Sequence, residues 1–406
     1  MRTSTNLEYR SPTADEFGDV LRTTSASFGE ETKDEEIERQ RRLLPADRVL
    51  AAWDGERPVG VTASYRFELT IPGGHAPAAG VTWVGVLPSH RRRGILRELM
   101  RRQLDDVHDR GEPLAILYAS ESSIYGRFGY GIAAPTTALD AERSAFALKD
   151  DLGPRGAVRL VTADEAAALF PPIYQRIRHE RPGMLDRTEE AWRNGRLADP
   201  EHWRDGAGPK FYALLEVDGD PVGYALYRIV SKWEDGTAKG EARVVEALAV
   251  SPHATAELWR FLFGIDLVAR VKSWSADSAM PLFLMVTDPR RLHLSISDGL
   301  WLRFVDVESA LRARGFAEGD RVVLDVTDEQ LPRNAGRWQV GEDVERTDDE
   351  ADVALDVADL ASAYLGAFTF ERLAAAGRAR ELRPGGLARA SALFATPTPP
   401  YCPEEF

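Results

Sequence analysis

A short pattern occurs twice along the chain and limits the possible folds more than any other feature of the sequence. The first copy reads Asp-Gly-Glu-Arg-Pro-Val-Gly at Asp54–Gly60 and Val-Gly-Val-Leu-Pro-Ser-His at Val84–His90. The second copy reads Asp-Gly-Asp-Pro-Val-Gly at Asp218–Gly223 and Leu-Ala-Val-Ser-Pro-His at Leu248–His253. A segment with helical periodicity follows each copy. The repeat predicts two tandem copies of one fold, although Asp-Gly and Pro are frequent in hairpin turns and could recur by coincidence.

The local patterns of the first copy are those of an α/β domain. Val49–Phe67 reads as a β-hairpin whose turn falls at Asp54-Gly55. Leu114–Tyr118 is an apolar run typical of a buried strand. Between them, Arg91–Arg110 has helical periodicity, with apolar side chains on one side at Ile95, Leu96, Leu99, Leu104 and Val107.

The composition limits the partners. The 406 residues carry a formal net charge of −14, which argues against a general nucleic-acid binder and suits small cationic partners. The single cysteine, Cys402, excludes an intrachain disulfide, and the seven histidines lack metal-binding spacing, so no metal is expected. No apolar run is long enough to span a membrane, and Met1–Arg10 lacks the apolar stretch of a signal peptide. We therefore expect a cytoplasmic protein with no membrane partner.

The most specific segment is Val84–Met100. A strand ends there at Val86 or Leu87, a short loop carries three consecutive arginines and Gly94, and a helix begins. Backbone N–H groups and a helix dipole that meet at one point bind anions and suit a pyrophosphate. The alternatives are an exposed basic helix start that binds nothing and a non-specific contact with nucleic acid.

This segment resembles the acetyl-CoA site of the GCN5-related N-acetyltransferases (GNATs). Arg91-Arg-Arg-Gly94-Ile-Leu96 fits the superfamily pattern Gln/Arg-x-x-Gly-x-Gly/Ala except at Leu96, which is larger than usual. Tyr118–Ile132 closely resembles a signature of the enhanced intracellular survival (Eis) proteins, and the likeness continues through Asp298–Arg303 and Ala310–Gly315. Eis proteins are aminoglycoside and lysine N-acetyltransferases with two tandem acetyltransferase domains and a sterol-carrier-like domain.

The resemblance implies an α/β (α+β) fold of tandem GNAT domains followed by a C-terminal sterol-carrier-like α+β domain. The boundaries expected are 1–145 for a catalytic domain, 146–295 for a degenerate GNAT-like domain and 296–406 for the last domain. The loop after Val250 in the second copy has neither the arginines nor the glycine of the first. We therefore predict that the second domain binds no acetyl-CoA and serves as scaffold and pocket wall.

The resemblance also implies catalytic groups. Tyr125 matches the general acid of the family, since a tyrosine of ordinary pKa near 10 can protonate a CoA thiolate. Tyr130 and Tyr118 are its competitors, and packing is the structural alternative. In the family the C-terminal carboxylate is the general base, and here it belongs to Phe406. The Pro-rich tail from Thr396 to Phe406 could dock as in the family or fray.

By the same resemblance, acetyl-CoA is the co-substrate. The strand Val84-Gly85-Val86 would bind the pantetheine arm through its backbone, and Ser120 and Glu121 would lie further along it. The residues expected to hold the pyrophosphate are Arg92, Arg93, Gly94, Ile95, Leu96 and Arg97. Ser122 and Ser123 replace family glycines, which could narrow the cleft.

The acceptor is expected to be a cationic polyamine. Phe28, Glu30 and Trp83 align with pocket positions of the family, and Glu405 adds charge beside the terminal carboxylate. Phe28 and Trp83 could instead be core aromatics, and Glu30 an exposed helix charge. The reaction expected is acetylation of aminoglycoside-like amines, at several positions, by a homo-hexamer. The alternatives are a protein-lysine acetyltransferase and a non-enzymatic protein that binds a ligand through its C-terminal domain.

Overall fold

The first part of the chain contains both strands and helices, as its α/β patterns predict. The computed structural model describes residues 7–149 and 155–406; residues 1–6 of the polar N-terminus and residues 150–154 lie outside the described part. The elements of the first part are β1 (Glu8–Arg10), α1 (Phe17–Phe28), α2 (Asp34–Leu43), β2 (Val49–Asp54), β3 (Arg57–Ile71), β4 (Gly74–Val86), α3 (Ile95–Asp109), β5 (Leu114–Tyr118) and α4 (Ser122–Tyr125).

The hairpin forms as predicted, with β2 and β3 antiparallel and Asp54 opposite Arg57. The helix of the arginine segment begins at Ile95 rather than Arg91, because Arg92 and Gly94 both have left-handed backbone conformations with φ of 63° and 83°. Its apolar face is the predicted one, with Ile95, Leu99, Leu104 and Val107 buried. Leu96 is half-buried.

A second series of elements follows. It consists of β6 (Gly131–Glu142), β7 (Ala157–Val161), α5 (Ala163–Arg178), β8 (Phe211–Val217), β9 (Asp220–Val230), β10 (Trp233–Glu234), β11 (Thr237–Ala238), β12 (Gly240–Ala249), α6 (Pro252–Gly264), β13 (Val268–Ala276) and α7 (Leu282–Met285). The last part contains β14 (Ser295–Phe304), α8 (Val307–Ala313), β15 (Val322–Thr327), β16 (Gly336–Val340), β17 (Glu345–Arg346), β18 (Val353–Asp356), α9 (Val357–Tyr364), α10 (Phe370–Ala375), β19 (Ala379–Glu381) and α11 (Gly386–Leu393). In the described part of the chain, no helix is both long and apolar enough to cross a bilayer.

The chain folds into two units, each of which draws on distant segments. The first unit contains the residues up to Ala134, Gly299–Pro397 and Glu405–Phe406, and the second contains Pro135–Asp298 and Thr398–Glu404. Strands in the first unit follow the order β1-β2-β3-β4-β5-β14, and strands in the second follow β7-β8-β9-β12-β13-β6. In each unit the fourth and fifth strands of the order form a parallel pair. The pair is β4 with β5 in the first unit and β12 with β13 in the second. The repeat in the sequence is therefore a repeat of topology.

The two copies exchange their last strands. β6 follows the first copy along the chain but pairs with β13, whereas β14 follows the second copy and pairs with β5 over Leu300–Phe304. The rest of the first unit is a separate five-stranded sheet in the order β17-β16-β15-β18-β19.

Candidate active site

The parallel strands β4 and β5 pair over a short stretch and then diverge, and the gap between them is called the fork here. The two strands pair only over Ala78–Gly80 and Leu114–Ile116. On its other side β4 remains paired with β3 as far as Val86. The edge of β4 from Val81 to Val86 thus offers backbone N–H and C=O groups that have no strand partner in the described chain, and such groups need hydrogen bonds from elsewhere.

A β-bulge lies in the same stretch of β4. Val61 opposes Gly85 while Ala63 opposes Thr82, so β4 holds one residue more than β3 between these pairs. Trp83 takes a left-handed backbone conformation here, with φ of 56°. A bulge bends a strand and increases its twist, which helps β4 to part from β5. The sequence analysis missed this bulge.

The arginine loop joins the end of β4 to α3. Arg91 donates to the carbonyl oxygens of Val86 and Ser27, and Arg93 donates to that of Ser89. These bonds fix the loop against β4 and the end of α1. Arg92 and Arg97 are exposed and have no hydrogen-bond or ion-pair partner among the residues described. The loop therefore presents two cationic groups whose donors are available to a ligand.

The start of α3 is open in the same way. Gly94 is its N-cap and supplies no side-chain cap, so the first N–H groups of the helix keep free donors. No atom lies within 4 Å of the position that a Cβ would take at Gly94. Free helical N–H groups, open space and two unpaired guanidinium groups are together the features of a phosphate site. The structure thus brings Arg92, Gly94 and Arg97 together as predicted.

Tyr125 ends the short helix α4 and is 5% exposed. It packs in one apolar cluster with Val81 of β4, Met100 of α3 and Leu117 of β5, and Val84 and Leu96 lie at the edge of that cluster. Tyr125 therefore lies at the base of the fork. Burial, and to a smaller extent the charge of Glu121, raises the pKa of the Tyr125 phenol to about 12. The phenol is thus a proton donor at neutral pH.

Tyr130 is the neighbouring alternative. Its ring lies 6.0 Å from that of Tyr125, in an edge-to-face arrangement. Its hydroxyl is buried without a hydrogen-bond partner in the described chain, and burial raises its pKa above the ordinary value. Tyr118, the third tyrosine of the motif, is the half-buried last residue of β5. Ser120 and Glu121 follow it as exposed residues.

The end of the chain contacts the first unit. The ring of Phe406 lies 5.1 Å from the ring of Phe67 and 6.5 Å from that of Tyr65, both on β3. A Cβ at Gly80 would lie 3.1 Å from the Phe406 ring. Since Gly80 is the last residue of β4 that pairs with β5, Phe406 lies at the closed end of the fork. Sequence reasoning missed Tyr65 and Phe67, although their period-two spacing on a strand indicates a shared face.

The residues predicted to bind the acceptor differ in position. Phe28 is half exposed at the end of α1, and its ring lies 3.8 Å from the Cβ position of Gly85. Trp83 is partly buried and packs edge-to-face on Phe17, with ring centroids 5.7 Å apart. Glu30 and Glu405 are exposed carboxylates. The structure therefore places Phe28 beside the fork.

The second unit contains the corresponding strand, loop and helix, but the start of its helix is capped. β12 and β13 pair only as far as Val244 and Ser273, and β12 also carries a bulge against β9 before Glu246. The N-cap of α6 is Ser251, whose hydroxyl accepts a hydrogen bond of 3.1 Å from the N–H of Ala254. The fork persists, but the helix caps itself.

Known proteins share this arrangement. Residues 8–133 and 183–304 each match the model of an acetyltransferase (GNAT) domain, and residues 307–403 match that of a sterol carrier protein domain. The N-acetyltransferase Eis of Mycobacterium tuberculosis is 36% identical over 414 residues, which cover 98% of each chain. The chain belongs to the Eis family of N-acetyltransferases.

Two further relatives extend the Eis comparison. The crystal structure of Eis1 from Mycobacterium abscessus is 34% identical, with a TM-score of 0.85 over 98% of this chain and all of the other. An N-acetyltransferase of Streptomyces avermitilis is 42% identical over 383 residues, 92% of each chain. The predicted fold of two GNAT domains and a sterol-carrier-like domain is confirmed, and so is the predicted enzyme class.

Membership of the Eis family implies the use of acetyl-CoA, and the residues described fit this co-substrate. The unpaired edge of β4 can bind an amide-containing arm. The open start of α3, with unpaired Arg92 and Arg97, can bind its pyrophosphate.

Proposed function

We propose that this protein transfers acetyl groups from acetyl-CoA to primary amines of small cationic polyamines, aminoglycosides among them, at more than one amine per acceptor. The observation that carries the proposal is the fork, because one opening joins a free strand edge, a phosphate site and a protonated tyrosine. The net charge of −14 favours cationic acceptors.

In this proposal the first unit binds the co-substrate. The backbone of Val84, Gly85 and Val86 holds the pantetheine arm, and Ser120 and Glu121 lie further along it. The pyrophosphate lies at the start of α3, held by Arg92, Arg93, Gly94, Ile95, Leu96 and Arg97. Acetyl-CoA supplies an activated thioester there, and the residues of the chain orient it.

Tyr125 and Phe406 divide the proton transfers. The amine nitrogen attacks the thioester carbonyl, a C–N bond forms and the C–S bond breaks. The Tyr125 phenol gives its proton to the departing thiolate. The α-carboxylate of Phe406 takes the proton released by the amine, directly or through a water. A carboxylate of ordinary pKa is a weak base, and it also stabilises the cationic nitrogen during attack.

The acceptor lies between aromatic and acidic groups. Phe28 and Trp83 provide aromatic faces, and Glu30 and Glu405 provide negative charge. A lysine side chain carries the same primary amine, so a lysine peptide is the acceptor to compare directly.

We further propose a catalytic domain at 1–145, a domain without acetyl-CoA at 146–295 and a sterol-carrier-like domain at 296–406, assembled as a homo-hexamer. The likeness to Eis proteins supports the assembly, and light scattering of the purified protein tests it.

The test of the function is mass spectrometry of a kanamycin-type aminoglycoside and of a lysine peptide after incubation with acetyl-CoA and protein with an untagged C-terminus. Successive additions of acetyl groups to the aminoglycoside are expected. Modification of the peptide alone would assign a protein-lysine acetyltransferase. Binding of acetyl-CoA without transfer to either acceptor would contradict the proposed substrate class.

A further inference from the structure

The fork of the second unit contains a segment of its own chain. Beyond Val244 and Ser273, β12 and β13 border a cavity of about 230 Å³ whose lining includes Ala247, Trp259 and Tyr401. Tyr401 is 4% exposed, and its hydroxyl donates to the carbonyl oxygen of Ser275 at 3.2 Å. The tail, residues 396–406, thus places an aromatic side chain where the first copy leaves its fork open.

The backbone of the tail is also held. The N–H of Tyr401 donates to the carbonyl oxygen of Pro182 at 2.9 Å. The next residue, Gly183, has φ of 95°, and a Cβ there would lie 2.8 Å from the Tyr401 carbonyl oxygen. Only glycine meets both the conformation and the close approach.

Two arginines bind the carboxylate of Glu404. Arg187 Nε and Arg196 Nη2 each donate to it at 2.5 Å, and Arg196 also donates to the carbonyl oxygen of Pro403 at 2.9 Å. The guanidinium carbon of Arg187 lies over the rings of Tyr174 and Trp192, at 3.9 and 4.6 Å from their centroids.

Glu404 of the tail contributes to the charge balance of the buried Arg187, Arg196 and Glu246. Arg187 also donates twice to the fully buried Glu246, and Arg196 lies 3.4 Å from the same carboxylate. Without Glu404, two buried cations would share one buried anion. Burial alone would raise the pKa of Glu404, but Arg187 and Arg196 outweigh it and hold that pKa below the ordinary value. The positive charges of Arg187 and Arg196 are therefore balanced by carboxylates only when the tail is docked.

We propose that Arg187 and Arg196 are positioning residues, which hold Glu404 and thereby position the end of the chain for catalysis. This inference rests on the proposed function, in which Phe406 supplies the base. Glu405 and Phe406 follow Glu404 directly along the chain. Two residues span at most about 7 Å, so fixing Glu404 confines the terminal carboxylate to a small volume. A base must be held that closely to act within hydrogen-bond distance.

The experiment compares Glu404→Gln with Glu404→Asp, which keeps the charge. The matched control is Glu189→Gln, which removes one carboxylate from an exposed pair with Arg193. The first readout is release of Phe406 by a carboxypeptidase that prefers aromatic termini, followed by mass spectrometry. The second is kcat and KM for the amine together with the Kd of acetyl-CoA.

Glu404→Gln should release Phe406 about tenfold faster and lower kcat by a similar factor, with the Kd of acetyl-CoA unchanged. Glu404→Asp should recover part of both losses, and Glu189→Gln should match the unmodified protein. Should Glu404→Gln prove too unstable by thermal unfolding, Tyr401→Phe replaces it, since it removes only the hydroxyl and its bond to Ser275. Faster release of Phe406 is then expected as well, by a smaller factor.

Two results would overturn the proposal: Phe406 equally protected in Glu404→Gln, whatever its kcat, or Phe406 released faster while kcat stays unchanged. The two readouts also separate this inference from the proposed function. If the unmodified protein acetylates no amine, the proposed function fails, while the carboxypeptidase readout still decides whether Glu404 holds the tail.

Discussion

The two copies of the strand–loop–helix show how one fold can keep its framework and change its use. Both have a parallel strand pair that parts early, and both have a bulge in the first strand of that pair. They differ at the helix start, where the first copy has Gly94 and unpaired arginines and the second has a self-capping Ser251. We therefore expect the capacity to bind phosphate to depend on a few loop residues rather than on the fold.

The largest expected effect concerns the α-carboxylate of Phe406, the proposed base of the first copy. A short extension beyond Phe406 should abolish acetyl transfer, because it converts the α-carboxylate into an amide that cannot accept a proton. The Kd of acetyl-CoA, measured by calorimetry, should stay the same, since the extension leaves the arginine loop and the start of α3 unchanged. Full turnover in the extended protein would remove the terminal carboxylate from the mechanism.

Tyr125→Phe should lower kcat by about 10²- to 10⁴-fold, because it removes the proton donor without changing the packing of the ring. Steady-state kinetics with the Kd of acetyl-CoA measures this split. Tyr212→Phe, in the second unit, serves as the control. If kcat survives in Tyr125→Phe and falls in Tyr130→Phe, the acid is Tyr130.

The arginines of the first copy should control the affinity for the co-substrate. Arg92→Ala and Arg97→Ala should each weaken acetyl-CoA binding by about tenfold or more, which is the loss of one charge-assisted hydrogen bond. Arg260→Ala is the matched change in the helix of the second copy, where the arginine pairs with Glu257. Equal effects at Arg97 and Arg260 would contradict the assignment of the phosphate site to the first copy.

The two helix caps should respond in opposite ways. Ser251→Ala should cost about 1 kcal/mol of unfolding free energy, because the Ala254 N–H loses its acceptor, and should leave acetyl-CoA binding unchanged. Gly94→Ala should cost a similar amount through its positive φ, but it should also weaken binding at the open helix start. Denaturant unfolding and calorimetry on both variants make the comparison.

The smallest expected effect is that of alkaline pH on kcat, which should stay nearly constant. The reaction needs Tyr125 protonated, so on the alkaline side activity is lost only as the pH rises through the pKa of Tyr125. Since that pKa is raised to about 12, kcat at saturating substrates should not decline between about pH 8 and 10. A decline by half near pH 10 would indicate an acid of ordinary pKa.

Local features could be predicted from the sequence. The hairpin turn at Asp54-Gly55, the loop at Arg91–Gly94 and the buried face of α3 depend on neighbouring residues, and their patterns are visible in the order of the side chains. The start of the helix was placed too early because Arg92 carries no sign of its left-handed backbone.

Features that join distant segments could not be predicted. The contact of Phe406 with Tyr65 and Phe67 depends on how the tail runs, and Arg187 and Glu404 are 217 positions apart. The exchange of β6 and β14 leaves no trace in periodicity, because a strand looks the same whichever neighbour it pairs with. The family likeness suggested the candidate site residues, but it did not point to Arg187 and Arg196.

The exchanged strands have a consequence for biosynthesis. β5 borders β14, which the ribosome makes only after the whole second copy. Until then the nascent first copy has an open sheet edge made of Leu-Ala-Ile-Leu-Tyr, a sequence with high aggregation tendency. The first copy therefore cannot finish folding as it leaves the ribosome, and translation rate and chaperone supply should limit the yield of native protein.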